Sequence, residues 1–300
     1  MPSAAEATPT SRTAVILPLA AALAAMCCFQ LGAAVAKGLF PAIGPEGAAT
    51  SRLALGALML IALSRPWRHW PAKPRLGVLA GFGLAIGATI LCFYMALDRV
   101  PLGVAISLQF LGPLGVAVAT SRRFTDLMWA VLAAVGVWCL VGMGARFGGR
   151  LDPLGVAFAL GAAVGWGVYI VVGRAAMAAF GRATASVSVG IGALVVAPFG
   201  IAHAGWALVA PALLPMALLV ALLTAAAPFT LELYALSRLP PRTFATFTSL
   251  EPAIGVAAGL VMLHQQLSLA QFLGVALVIA AAGGAAWSSA GWDAAAAPID

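Results

Sequence analysis

Two carboxylates in this chain stand where a carboxylate is costly. Glu251 lies in Thr-Ser-Leu-Glu-Pro and Glu232 in Thr-Leu-Glu-Leu-Tyr, both within long apolar stretches. A charge in such surroundings must be paired, hydrated or protonated, which marks it for function. Glu251 falls near the middle of its stretch and is the first candidate for ligand binding, while Glu232, nearer an end, suits coupling or gating. Arg52 follows Thr50 and Ser51, and Lys37 closes the first apolar run. A cation set against a buried carboxylate could hold the two ends of a zwitterion. Arg52 could equally form a structural ion pair with Glu46 or Glu251, and Lys37 could be an interfacial anchor or part of a gate.

Gln30 and Gln109 add amide donors and acceptors without a charge penalty, suited either to a polar ligand or to tying helices together. Tyr94, Trp166 and Tyr169, with Phe29 and Phe110, could wall a cavity. His264, at a gap between apolar runs, could titrate in a gating role. Pro113 and Pro252 lack an N–H, so the carbonyls of Gln109 and Thr248 lose their helical partners and must find others. No phosphate-binding GxxxxGK[ST] loop, HExxH pair or nucleophile elbow occurs. Cys27, Cys28, Cys92 and Cys139 have no paired spacing and read as small apolar packers. The sequence therefore predicts no enzyme, no metal and no cofactor.

The elements that must position these residues are transmembrane helices. Of 300 residues, 63% are hydrophobic and 8% charged, a composition foreign to soluble domains. About 20 apolar residues span a bilayer as a helix, and such runs recur from Val15 to Ala290. Charged and Pro-rich breaks divide them into ten spans. The first five are Val15–Lys37, Gly47–Ser64, Leu76–Leu97, Pro101–Ser121 and Asp126–Gly144; the second five are Asp152–Arg174, Ala183–His203, Leu213–Leu236, Thr243–Leu263 and Leu269–Ala290. The first run continues to Lys37, which favours a retained span over a cleaved signal peptide.

Net charge is +7, but the cations are scattered among the gaps, which excludes a nucleic-acid face and instead reports topology. With the N-terminus inside, Arg12, Arg65, Arg68, Lys73, Arg75, Arg122, Arg123, Arg174, Arg182, Arg238 and Arg242 are cytoplasmic. Lys37, Arg99, Arg146 and Arg150 lie outside. The positive-inside rule thus places both termini in the cytoplasm.

The two halves repeat. Leu97-Asp98-Arg99-Val100-Pro101 aligns with Leu236-Ser237-Arg238-Leu239-Pro240 at an offset of 139, which also sets Pro113 on Pro252. Gly56-Ala57-Leu58 matches Gly192-Ala193-Leu194 at an offset of 136, and Lys37 matches Arg174. Two five-helix repeats follow, at residues 15–144 and 152–290, between tails at 1–14 and 291–300. Five spans per repeat invert the second against the first, an architecture that can open a central site to either side in turn. Gly77/Gly81, Gly83/Gly87, Gly161/Gly165 and Gly255/Gly259 are expected to let helices approach closely.

Several motifs resemble one family along nearly the whole chain. They are Gly32-Ala33-Ala34-Val35-Ala36-Lys37-Gly38-Leu39-Phe40-Pro41, Ser51-Arg52-Leu53-Ala54-Leu55-Gly56, Val100-Pro101-Leu102-Gly103, Phe110-Leu111-Gly112-Pro113-Leu114, Gly165-Trp166-Gly167-Val168-Tyr169-Ile170 and Glu251-Pro252-Ala253. The chain resembles the drug/metabolite transporter superfamily, in its EamA-type branch of bacterial amino-acid exporters. That resemblance implies ten helices in two inverted repeats, the bacterial inner membrane, and efflux of small neutral amino acids such as threonine, homoserine or methionine, with protons as candidate counter-ion. A monomer is workable. Gln109 departs from the branch's amino-acid exporter pattern, which carries Glu before Phe-x-Gly-Pro. Competing readings are an exporter of aromatic amino acids or lipophilic cations, and a nontransporting scaffold or lipid-handling protein.

Overall fold

The chain was described as a computed structural model covering residues 12–68, 70–71, 75–120, 124–143, 151–236, 238–239 and 241–295. Lys73, Arg122, Arg123, Arg146 and Arg150 of the charge-bias argument, and most of both tails, lie outside the described residues. Those described are almost wholly helical. The reason is elementary: in hydrocarbon a helix satisfies its own backbone groups.

Thirteen α-helices follow in chain order. In the first half α1 is Arg12–Ala36, α2 Phe40–Ser64, α3 Leu76–Arg99, α4 Leu102–Gln109, α5 Leu111–Thr120 and α6 Phe124–Trp138. In the second half α7 is Pro153–Phe180, α8 Thr184–Ala204, α9 Leu214–Ala221, α10 Ala227–Leu236, α11 Pro241–Thr248, α12 Glu251–Met262 and α13 Leu269–Ala295. Among the described residues seven stretches are long and apolar enough to cross a membrane, one of them the 49-residue Ile16–Ser64. Leu127–Val141 and Glu251–Met262 are shorter apolar helices. This is a multi-pass membrane protein.

Helix ends follow local chemistry. Gly44 adopts φ +66, which a glycine tolerates, and Pro45 restarts α2 beyond that kink. Asp152 caps α7 through its side chain and Pro153 opens it. α7 continues past the expected Arg174 to Phe180, because the next breaker is Gly181 at φ +50. α13 likewise runs to Ala295 rather than ending near 290.

Two junctions fall just before Pro113 and Pro252. α4 gives way to α5 at Phe110, and α11 to α12 at Ser249–Leu250. Pro113 and Pro252 then sit in the first turns of α5 and α12, where a missing N–H costs nothing. A third irregularity is the π-turn Leu222–Ala226 between α9 and α10.

α3 on α7, α4 on α12 and α2 on α8 pack antiparallel, and their ends are marked by contacts. Arg99 at the end of α3 pairs with Asp152 before α7 at 3.1 Å. Gln265, after α12, accepts from the Leu102 N–H at the start of α4 at 2.9 Å. Phe40 of α2 meets Tyr94 near the end of α3. At the opposite end Ser64 donates to Ser186 at 2.8 Å, joining the end of α2 to the start of α8.

Glycine pairs act where helices cross. A Cβ on Gly83 or Gly87 would meet α8 at Ile191 or Gly192, and one on Gly161 or Gly165 would meet Cys92 or Thr89 of α3. Gly255 faces Ile106. Gly77 and Gly81 correct the expectation, since nothing lies within 4 Å of a Cβ at either. They occupy the start of α3, before its crossing with α8 begins, so their four-residue spacing meets no partner.

Candidate functional site

Polar side chains gather at mid-depth. Glu251 is the first residue of α12, where the exposed N–H groups and dipole of a helix start favour a carboxylate. Its Oε1 accepts from Gln30 Nε2 of α1 at 2.9 Å. Gln30 is 3% exposed, and its Oε1 is buried without a hydrogen-bond partner among the described residues. Glu251 is largely surrounded by protein yet keeps some accessible surface.

Arg52 approaches from α2. Its Nη2 lies 3.5 Å from the Thr224 carbonyl in the π-turn, a long contact that leaves most of the guanidinium's donors unused. The same group stands 5.5 Å from the centre of the Tyr94 ring. Tyr94 is fully buried and its hydroxyl has no hydrogen-bond partner among the described residues. Arg52 and Glu251 are within electrostatic reach but form no ion pair. The expected alternative, a structural pair of Arg52 with Glu46, is replaced: Glu46 Oε2 lies 3.5 Å from His203 Nδ1.

Thr224 was missed in the sequence reading, although its signal was present. Pro228 stands four residues later in an otherwise continuous helical stretch, so the Thr224 carbonyl lacks its helical N–H and is free to receive Arg52. That is the argument applied to Pro113 and Pro252.

The other candidates divide by position. Gln109 ends α4 half-buried, next to Phe110, which meets Trp166 edge-on at 5.0 Å. Tyr169, one turn beyond Trp166, stacks on Phe82 at 4.7 Å and has Glu232 as a charged neighbour. Glu232 is also a charged neighbour of Glu251 and makes no hydrogen bond or ion pair among the described residues. Lys37 lies in a 3-10 turn two turns beyond Gln30, with Asp98 as its charged neighbour. His264 is exposed in the turn after α12 at φ +50, about 20 Å along the chain axis from Glu251. Neither side chain joins the central cluster. An apolar groove of about 490 Å³ between α5 and α6, lined by Leu111, Leu114, Val118, Ala130 and Ala133 among others, offers no polar group to a polar cargo.

No group of three or more metal-ligating side chains occurs among the described residues. A bundle of apolar helices with a guanidinium and a carboxyl held apart at its centre suits a membrane transporter.

The comparisons narrow that class. The model of the EamA-like transporter family matches residues 153–286. The threonine/homoserine exporter RhtA of Salmonella typhimurium (strain LT2) is 43% identical over 275 residues, covering 92% of this chain and 93% of that protein. Its namesake from Escherichia coli (strain K12) is 43% identical over 270 residues, covering 90% and 91%. A solved crystal structure shares the fold with a TM-score of 0.56 at 19% identity, covering 91% of this chain and 96% of its own. The chain belongs to the EamA-like transporter family, and it is a transporter rather than an enzyme.

Proposed function

We infer that this protein exports threonine and homoserine from the cytoplasm across the bacterial inner membrane by alternating access. The observation that carries the reading is the unpaired opposition of Arg52 and Glu251 across the cluster. A zwitterionic amino acid bridges them: its ammonium replaces Gln30 as the donor to Glu251, and its carboxylate takes the unused donors of Arg52 and the Tyr94 hydroxyl. The names of the 43%-identical relatives support the cargo and the outward direction.

The mechanism goes with a reading of ten crossings in two inverted repeats. The 49-residue stretch divides at Lys37–Leu39 into two crossings, and the two shorter apolar helices complete a fourth-and-fifth pattern in each half. Contacts follow a pseudo-twofold: α2 packs on α8, α4 on α12 and α6 on α13, each pairing a span with its repeat equivalent. α3 packs on α7 as α10 packs on α1. Gly136 and Gly274, at an offset of 138, face each other with a Cβ on Gly274 only 2.7 Å from the Gly136 carbonyl oxygen, as expected of residues astride the symmetry axis. The charge bias puts the Ser64 end in the cytoplasm with both termini. Proton exchange, where it operates, would use Glu251 or Glu232.

Purified protein in proteoliposomes, loaded with labelled threonine, homoserine, valine or phenylalanine, tests this with and without a pH gradient. Threonine and homoserine should leave fastest. Release of neither, from oriented and folded protein, overturns the reading.

A further inference from the structure

We propose that Gln30 is the residue that selects for a side-chain hydroxyl on the cargo. The proposal rests on the reading of Glu251 and Arg52 as the zwitterion clamp. Gln30 is held at the centre of the cluster, 3% exposed, with one amide atom engaged and the other idle: Nε2 donates to Glu251 while Oε1 has no partner. Swapping the amide's two ends leaves the same deficit, because one buried amide atom is then without a partner either way. An unmet buried acceptor is costly and persists where something else meets it.

The clamp itself says what that is. When the cargo ammonium takes Glu251, the Gln30 amide loses its only hydrogen bond and is released beside the bound molecule. Its three-bond arm carries an acceptor and two donors to the cargo's side chain. A hydroxyl on that side chain donates to Oε1 and accepts from Nε2, satisfying the amide; a methyl in its place strands both. Sites built this way reject the analogue lacking the polar group far more strongly than apolar pockets distinguish sizes. Other groups near Gln30 do not compete for this role: a Cβ on Gly255 would meet Ile106 and the Gln30 amide, and Thr224, which faces Gly32 two residues along α1, spends its hydroxyl on the Val220 carbonyl. The arm's flexibility lets one amide serve a hydroxyl on either the β- or the γ-carbon.

Paired isosteres test it. Threonine against valine, and homoserine against norvaline, differ by a hydroxyl for a methyl. In proteoliposomes the wild-type protein should favour each hydroxylated member by about tenfold or more, and Gln30→Leu should bring both ratios to within about threefold of unity. Gln30→Glu, which keeps an acceptor, should retain the preference. A ratio unchanged in Gln30→Leu overturns the proposal, and so does loss of preference in both variants alike. Should Gln30→Leu abolish transport, thermal shifts of the purified variant with threonine and valine report the same ratio. Absence of threonine transport by the wild type overturns the cargo reading instead, which keeps the two failures distinct.

Discussion

The two ends of the bundle are built differently. Towards Arg99, one continuous core joins the ends of α1, α3 and α6 to the starts of α2, α4, α7 and α9 and the length of α12, through Ala36, Leu39, Leu97, Leu102, Leu140, Ala159, Val220 and Val256. Towards Ser64, the described apolar side chains gather in separate groups. Ala21, Ala22, Ala235 and Leu239 form one with α11, and Leu114, Ala133, Ala281 and Ala285 form another. Rings add further contacts at Trp70–Phe180 and Phe82–Tyr169. Polar ties occur at both ends: Arg99–Asp152, Leu102–Gln265 and Glu46–His203 at the first, and Ser64–Ser186 at the second. The difference teaches that the described residues seal the Arg99 face in one core and hold the Ser64 face in smaller, divided groups, with Glu251 near the boundary and Glu232 on the divided side.

The largest expected effect comes from removing the charge at that boundary. Glu251→Gln should lower threonine transport about tenfold to a hundredfold, the worth of one charge-assisted hydrogen bond, while folded protein stays in the membrane. Transport at the wild-type rate would reduce Glu251 to a structural role.

Next, cysteine labelling reads the division itself. With the four native cysteines replaced, Glu232→Cys should react with a water-soluble maleimide from the Ser64 side, and Ile106→Cys, 3% exposed in the sealed half, should not. Equal labelling of the two would mean that neither end is sealed.

Packing gives a smaller effect. Gly103 touches Val256 so closely that a Cβ would lie 2.9 Å from its Cα, whereas Gly81 has open space. Gly103→Ala should cost about 1–3 kcal/mol through overpacking, seen as a lower Tm, and Gly81→Ala should be close to neutral.

Smallest is the exposed tie at the sealed end. The Leu154 N–H, and then Arg99, hold the Asp152 carboxyl below its ordinary value. Because the folded form is depressed, its stabilisation is present above the ordinary carboxylate range near 4 and is lost as pH falls through the lower folded value. A small Tm advantage of wild type over Asp152→Asn at pH 7 should therefore vanish in acid. An advantage that persists there belongs to some other contact.

Much of this was legible in the chain. Apolar runs located the helices, and the register of Pro113 with Pro252 located both breaks in spans four and nine. Glu251, Gln30, Arg52 and Tyr94 were each singled out by type and meet in the structure. His264 and Lys37 were singled out by the same criteria and stand apart, because chemical type carries no information about depth and rotation once a helix is placed. Gly77 and Gly81 failed for a related reason: a four-residue spacing makes a flat face without saying whether another helix crosses it.

What the sequence by itself determined is local. Hydropathy sets which segments leave water, and proline sets which carbonyls lose their partners. Only the tertiary structure decided that Gln30 reaches Glu251 across 221 positions and Arg52 reaches Thr224 across 172. These helices are apolar on nearly every face, so the pattern that orients an amphipathic helix in water is absent. Their rotation is fixed instead by close packing of small residues against specific neighbours, and that exists only when all the helices are assembled.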